Sequence, residues 1–162
     1  MRYYFDTEFI ERGHEHPIEL ISLGMVREDG TELYAVLADG WDESHASDWV
    51  RENVLPHLGD GPRITRAELA QRLRFWITEE KPEFWGYYAD YDWVVLCQLF
   101  GSMTDLPKNF PMFCRDLKQF VSERGNPELP KQTSWLHNAL WDARHIKFKH
   151  EWMKRATMQT VR

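Results

Sequence analysis

Asp6 and Glu8 stand two positions apart in Tyr3-Tyr4-Phe5-Asp6-Thr7-Glu8-Phe9. In a strand, that spacing puts both side chains on one face, roughly 7 Å apart along the backbone. Two carboxylates so placed sit in water, share a proton or bind a cation. A second pair of acids, Asp90 and Asp92, follows the aromatic run Gly86-Tyr87-Tyr88-Ala89. Asp90 suits the N-cap of a following helix. Asp92 falls in that helix's first turn, where the dipole favours negative charge and where it projects from the end of the sheet. The third group is His137 and Asp142 in His137-Asn138-Ala139-Leu140-Trp141-Asp142. Five residues of helix turn through about 500°, leaving two side chains ~140° apart. The pair therefore serves one site only if His137 lies on the turn before the helix, with Asn138 as N-cap. Asp142 then shares a face with Ala139, Ala143 and Ile146, where an acid is costly unless paired or metal-bound. Arg144 and Lys147, from the solvent side, are its alternative partners.

The elements that position these groups follow from periodicity. Residues 2–9, 18–27 and 31–38 read as three strands joined by short loops, an antiparallel meander. Residues 44–58 carry apolar side chains at helical spacing. Thr65-Arg66-Ala67-Glu68 has the spacing of a capping box and opens a helix with Leu69, Leu73, Trp76 and Ile77 on one face, ended by Pro82 at the latest. A short aromatic strand over 83–89 leads into a buried helix over 91–100. Phe110–Cys114 reads as a last edge strand, given Pro111. A short helix over 115–123 and a long amphipathic one from about 138 to 157 complete the chain. The order predicts one α/β domain over residues 1–162, a mixed sheet of about five strands, three antiparallel and then parallel ones, flanked by helices. Ligands in such sheets gather at strand ends.

The net charge of −6 argues against a nucleic-acid binder until its distribution is considered. Residues 1–106 carry −12 and residues 107–162 carry +6. That asymmetry either lets the C-terminal part meet a polyanion or lets the two ends of the chain pair. No apolar run approaches the ~18 residues of a membrane span, and the N-terminus lacks a signal peptide's apolar segment. Cys97 and Cys114 read as free thiols in a reducing compartment, which places the protein in the cytoplasm. His14 and His16 have no further ligand at matching spacing and read as a surface loop.

Taken in order, D-x-E, an Asp after an apolar strand and H-x-A-x-x-D on a C-terminal helix resemble the DEDDh branch of the 3′→5′ exonucleases. This is the RNase T and oligoribonuclease group, with an RNase H-like fold. The resemblance runs from Asp6 to Asp142, and within the group the chain is most similar to small bacterial exoribonucleases of the polyadenylate-specific AS type. It implies that Asp6, Glu8, Asp92 and Asp142 hold two Mg²⁺ or Mn²⁺ ions, with Asp90 a rival for the second-motif ligand, and that His137 is the general base. It further implies hydrolysis of single-stranded RNA from its 3′ end, a nucleoside monophosphate product and a homodimer. Phe9, Tyr88 and Tyr91, beside the acids, are the candidates for base stacking, a common way of holding single strands. Nothing in the motifs reads a ribose 2′-OH, so single-stranded DNA is the alternative substrate. The alternative of another class is a non-catalytic RNA-binding module, whose mark is loss of an acid or of the histidine; all five residues are present.

Overall fold

Tyr3, Tyr4 and Phe5 are almost wholly buried because the strand they open runs through the middle of the sheet. A computed structural model describes residues 1–160, with side chains through residue 156. β1 (Arg2–Ile10) pairs antiparallel with β2 (Glu19–Arg27), and β2 with β3 (Glu32–Leu37). Gly30, at φ +92°, closes the tight turn between the latter two, a conformation that costs a glycine little. β4 (Arg63–Ile64) adds parallel to the outer edge of β3. On the other side of β1 lie β5 (Glu83–Gly86) and β6 (Arg115–Asp116), both parallel. The order is β4-β3-β2-β1-β5-β6. The meander followed by parallel strands is as expected, with six strands in place of about five, and is consistent with an RNase H-like α/β fold.

Side chains alternate across β1 and build two cores. Tyr3 and Phe5 pack on one face with Leu69 and Leu73 of α2 (Arg66–Trp76) and with Trp93 and Leu96 of α3 (Asp90–Gln98). Tyr4 packs on the other with Leu117 and Val121 of α4 (Leu117–Ser122) and with Ile146 and Met153 of α5 (Ala139–Thr160). The buried positions of α5, Ala139, Ala143, Ile146, His150 and Met153, recur at the three- and four-residue spacing of one helix face. Thr65 and Glu68 form the expected capping box at the start of α2. Cys97 and Cys114 are free thiols.

Two sequence expectations are corrected. The edge strand expected over Phe110–Cys114 is not formed there; the pairing with β5 is made by Arg115 and Asp116, opposite Trp85 and Gly86. Pro111 has no N–H for a ladder, and Phe110 turns into the core against the Phe84 ring, 5.0 Å between centroids. The short helix after it accordingly starts at Leu117, capped by the Asp116 carboxylate, which accepts from the Gln119 N–H at 3.0 Å. The single helix expected over 44–58 is instead a 3-10 turn at Glu43–His45, α1 (Asp48–Asn53) and a second 3-10 turn at Leu55–His57. Ser47 caps α1 through its hydroxyl, which accepts from the Val50 N–H, and Pro56 cannot donate within a continuing helix.

Candidate active site

Asp6 and Glu8 leave β1 on the face that α5 covers. Opposite Asp6 in the β1–β2 register stands Gly24. A Cβ at Gly24 would collide with the backbone of Ala139 and Leu140. The missing side chain is what allows the first turn of α5 to lie against the sheet at this point, and that turn carries Asp142. One carboxylate oxygen from each of Asp6, Glu8 and Asp142 then lies within 4.8 Å of the others. Oxygen-only donors of this kind suit hard divalent cations such as Mg²⁺ or Mn²⁺.

Asp92 stands beside this group, reaching it from α3 through the gap where β5 stops pairing. The last β1–β5 pair is Tyr4 with Trp85. Beyond it, the Thr7 N–H donates to Asp92 Oδ1 at 2.9 Å and Thr7 Oγ1 donates to the same oxygen at 2.5 Å. Asp92 is buried, whereas Asp90, two residues earlier, is exposed. Asp90 is also not the N-cap that its position suggested. Ala89 holds the N-cap position, without a side-chain cap, and its N–H donates to the Asp116 carboxylate at 2.8 Å.

His137 precedes α5 in the left-handed region, at φ +61°, a conformation that costs a residue with a Cβ on the order of 1–3 kcal/mol. Trp135, two residues before it, is left-handed as well, at φ +55°. Asn138 holds this turn in place. Its Oδ1 accepts from the Trp141 N–H at 3.2 Å, and its carbonyl accepts from the Asp142 N–H at 2.9 Å. Its amide donates to the His57 carbonyl at 2.7 Å, which fixes α5 to the end of the 55–57 turn. The His137 ring packs edge-on against Trp49, with centroids 4.8 Å apart, and the His137 N–H reaches the Asp142 carboxylate.

The electrostatics follow from crowding acids in a dry place. Burial, and then the charges of Asp92, Glu8 and Asp142, hold Asp6 well above the usual carboxylate range. Burial, with Asp142 and Asp92, pushes Glu8 up to about 8. Burial raises Asp92 to about 6 against the two hydrogen bonds from Thr7, which favour its charged form. Asp142 is raised by burial and held down in part by the amide of Gln132 and by His137. Without cations, the group keeps itself from full ionisation by holding protons.

Arg144 and Lys147, the cations expected near Asp142, are engaged elsewhere. Arg144 forms a two-point pair with Glu32 at 2.7 and 2.6 Å, and Lys147 lies 3.1 Å from Glu151. The basic group facing Asp142 and Asp6 is Lys149. It lies seven residues, two turns, beyond Asp142 on the same helix face, a spacing visible in the sequence but not singled out there. Of the aromatic candidates, Phe9 and Tyr91 stack on each other, with centroids 5.9 Å apart and planes 17° from parallel. Tyr88 is 64% exposed, at φ +56°, with its ring edge-on to Tyr87.

A family model described as the 3′-5′ exoribonuclease Rv2179c-like domain matches residues 1–153. The chain belongs to this family. It is 44% identical over 151 residues to the 3′-5′ exoribonuclease Rv2179c of Mycobacterium tuberculosis strain H37Rv, across 89% of this chain and 88% of that protein. The same figures hold for the 3′-5′ exoribonuclease MT2234.1 of Mycobacterium tuberculosis strain CDC 1551. The stretch that matches the Rv2179c-like model contains Asp6, Glu8, Asp92, His137 and Asp142, and also Gly24, Thr7, Gln132 and Lys149, which the motifs alone did not mark.

Proposed function

We propose that this chain is a 3′-5′ exoribonuclease of the DEDDh type, a single domain that hydrolyses single-stranded RNA from its 3′ end and releases nucleoside monophosphates. The observation that carries this reading is the convergence of Asp6, Glu8 and Asp142 within 4.8 Å in a member of the Rv2179c-like exoribonuclease family. Asp6, Glu8, Asp142 and, beside them, Asp92 are the groups that would hold two Mg²⁺ or Mn²⁺ ions. When bound, such ions activate water and balance charge on the attacking and leaving oxygens of a phosphoryl displacement. The protein's own part is to fix the acids on a central strand and two helices so that they cannot spread apart.

His137 is the general base, since an imidazole can take a proton near working pH. Its turn lies outside the rigid helix, so the ring can close on a substrate. Phe9 and Tyr91, parallel and half-open, offer a stacking surface to the terminal base, and Tyr88 offers another on the rim. The family and its relatives are named for RNA, which supports RNA over DNA as substrate. The sequence resemblance to polyadenylate-specific members supports adenylate tracts as the preferred RNA. The same resemblance supports a homodimer, and the free thiols Cys97 and Cys114 support a reducing, cytoplasmic site of action; among the described residues no helix is long and apolar enough to cross a membrane.

The test is a 5′-labelled single-stranded RNA incubated with Mn²⁺ or Mg²⁺, with and without EDTA, beside a DNA strand of the same sequence. A ladder shortening from the 3′ end, abolished by EDTA and by Asp6→Ala, is expected. EDTA-insensitive cleavage or a fully active Asp6→Ala protein would refute the two-metal reading. Equal cleavage of the DNA would remove the preference for RNA. Oligoadenylate compared with oligouridylate tests the base preference.

A further inference from the structure

The carboxylate site opens into a cleft of about 740 Å³ that runs from Asp6 and Asp142 to the segment 126–132. That volume is typical of sites that hold a whole small ligand, about 300–1,000 Å³. Its walls are α5, α4 and the 126–132 segment, in which Pro127 and Pro130 lack the N–H that would otherwise need a partner. The floor is apolar, with Val121 and Ile146 buried at its base. Its charge is opposite to that of the carboxylate end. Lys149, Lys118 and Lys131 line it, and the one acid apart from the site's own is Glu128. Glu128 lies 3.8 Å from Lys131 with both side chains more than four-fifths exposed, a pairing of little energetic weight.

Lys149 stands where the two ends meet. Its ammonium is 4.1 Å from the centroid of the Tyr87 ring, a contact that orients the charge while leaving its donors available. Lys118 donates to Asn126 Oδ1 at 2.6 Å, which holds it at the cleft wall. Phe9 and Tyr91, the stacking pair, are not among the cleft's lining residues. Phe9 adjoins Glu8 and Tyr91 adjoins Asp92 in the chain, while Asp6 and Asp142 line the cleft, so a strand whose terminal base lies on that pair and whose phosphate lies at the acids would continue into it.

We propose that this cleft is the track for the RNA on the 5′ side of the scissile bond, with Lys149 contacting the first phosphate there and Lys118 and Lys131 the phosphates beyond. Three of the basic residues of the +6 stretch 107–162, Lys118, Lys131 and Lys149, line the track in a chain that is acidic overall. The contacts are to phosphate and read no base, so they supply affinity and register without sequence preference. The rival role for Lys149 is to neutralise Asp6 and Asp142. That role affects metal binding and has no dependence on RNA length.

The inference rests on the exoribonuclease reading, and its test separates the two. kcat and KM are measured with Mn²⁺ for single-stranded RNAs from the dinucleotide upward, over a range of salt. The proteins are wild type, Lys149→Gln, Lys149→Arg and the double variant Lys118→Gln/Lys131→Gln. Thermal shifts with Mn²⁺ alone report metal binding and confirm that each variant folds. The wild-type kcat/KM should rise with length. The double variant should lose most of that rise, and its salt slope on long RNA should be shallower by about 1.4, at roughly 0.7 per phosphate contact on a single strand. Lys149→Gln should raise KM severalfold more than it lowers kcat, with the Mn²⁺ midpoint unmoved, and Lys149→Arg should restore KM. Wild-type protein that leaves every RNA intact would overturn the exoribonuclease reading and the track with it. An active wild type whose length and salt dependence persist in the double variant would overturn the track alone, as would a Lys149→Gln protein altered in its Mn²⁺ midpoint and not in KM.

Discussion

Removing metal should make the protein less stable as the pH rises from acid to mildly alkaline. Burial and the neighbouring acids raise Glu8 from 4.5 to about 8, so in the metal-free folded protein Glu8 keeps its proton where the unfolded chain has lost it. A carboxyl raised in this way contributes stability fully below its unfolded value and loses it as pH climbs through the folded one. The slope is about 1.4 kcal/mol per pH unit for one such group. From about pH 5 to about pH 8, Glu8 alone therefore removes roughly 3.5 kcal/mol. For a domain of this size that corresponds to a fall in Tm on the order of 7–14 °C. Asp92, raised to about 6, adds to the loss in the lower half of the window, and Asp6 adds throughout.

Thermal unfolding in EDTA across that pH range, repeated with excess Mn²⁺, measures the effect. Cations replace the protons and bind only the folded site, so the metal-dependent gain in Tm should grow with pH. Glu8→Gln should carry a neutral group in the same place. In EDTA it should unfold at a higher temperature than wild type near pH 8, at a similar temperature near pH 5, and fail to degrade RNA. A metal-free Tm that is flat or rises from pH 5 to 8, or a Glu8→Gln protein that keeps the wild-type slope, would refute the argument that the acids are held together against their own repulsion.

Gly24→Ala should push the first turn of α5 off β2 and separate Asp142 from Asp6; a loss of about 1–3 kcal/mol, as for an overpacked core, is expected by urea unfolding, with kcat falling further than that loss explains. Asn138→Ala deletes the cap of α5 and its bond to the His57 carbonyl, and should cost about 1–2 kcal/mol in the same assay. Thr7→Val keeps the shape but removes the hydroxyl donor to Asp92; Asp92 should rise above its value of about 6, moving the acid limb of the pH–rate profile to higher pH. His137→Ala should lower kcat by about 10²–10⁴ while the Mn²⁺-induced thermal shift stays at the wild-type size, which separates a proton acceptor from a metal ligand.

The framework of the fold was legible because it is written in local patterns: aromatic enrichment in the first strand, alternation in the second, a capping box before α2 and a single apolar stripe on α5. What failed was decided by partners distant in sequence. The apolar run at Phe110–Cys114 reads as a strand, but Phe110 is drawn into the core and the ladder passes to two polar residues. Asp90 and Asp92 fall in the same helical turn and cannot be ranked by local rules. Thr7 separates them, by offering its N–H and hydroxyl where β5 leaves the ladder. Gly24 gave no warning, since a lone glycine in a strand says nothing about the helix that will cross it. Lys149 lies two turns from Asp142 on one face of α5, but its other partners, the Tyr87 ring and Asp6, are distant in sequence.

The site divides its parts between rigid and adjustable backbone, and the division follows the chemistry. Asp6 and Glu8 lie on the strand at the centre of the sheet, Asp92 is tied to that strand by two hydrogen bonds, and Asp142 is carried by a helix that a glycine lets down onto it. None of the four can retreat far from its neighbours, so their repulsion has to be met by protons or by cations, and proton release and metal binding become one coupled event. His137 is held differently. It sits at a strained φ on the turn just before the Asn138 cap, outside the regular helix, with its ring against Trp49 and only its backbone N–H on Asp142. In the proposed reaction, a base on such a turn can adjust to a substrate, whereas a ligand set gains from being fixed. His137→Ala and Glu8→Gln, one expected to slow the reaction and the other to stop it, are therefore expected to move metal-free stability differently: one removes a ring from a turn, the other removes a charge from a place where charge is costly.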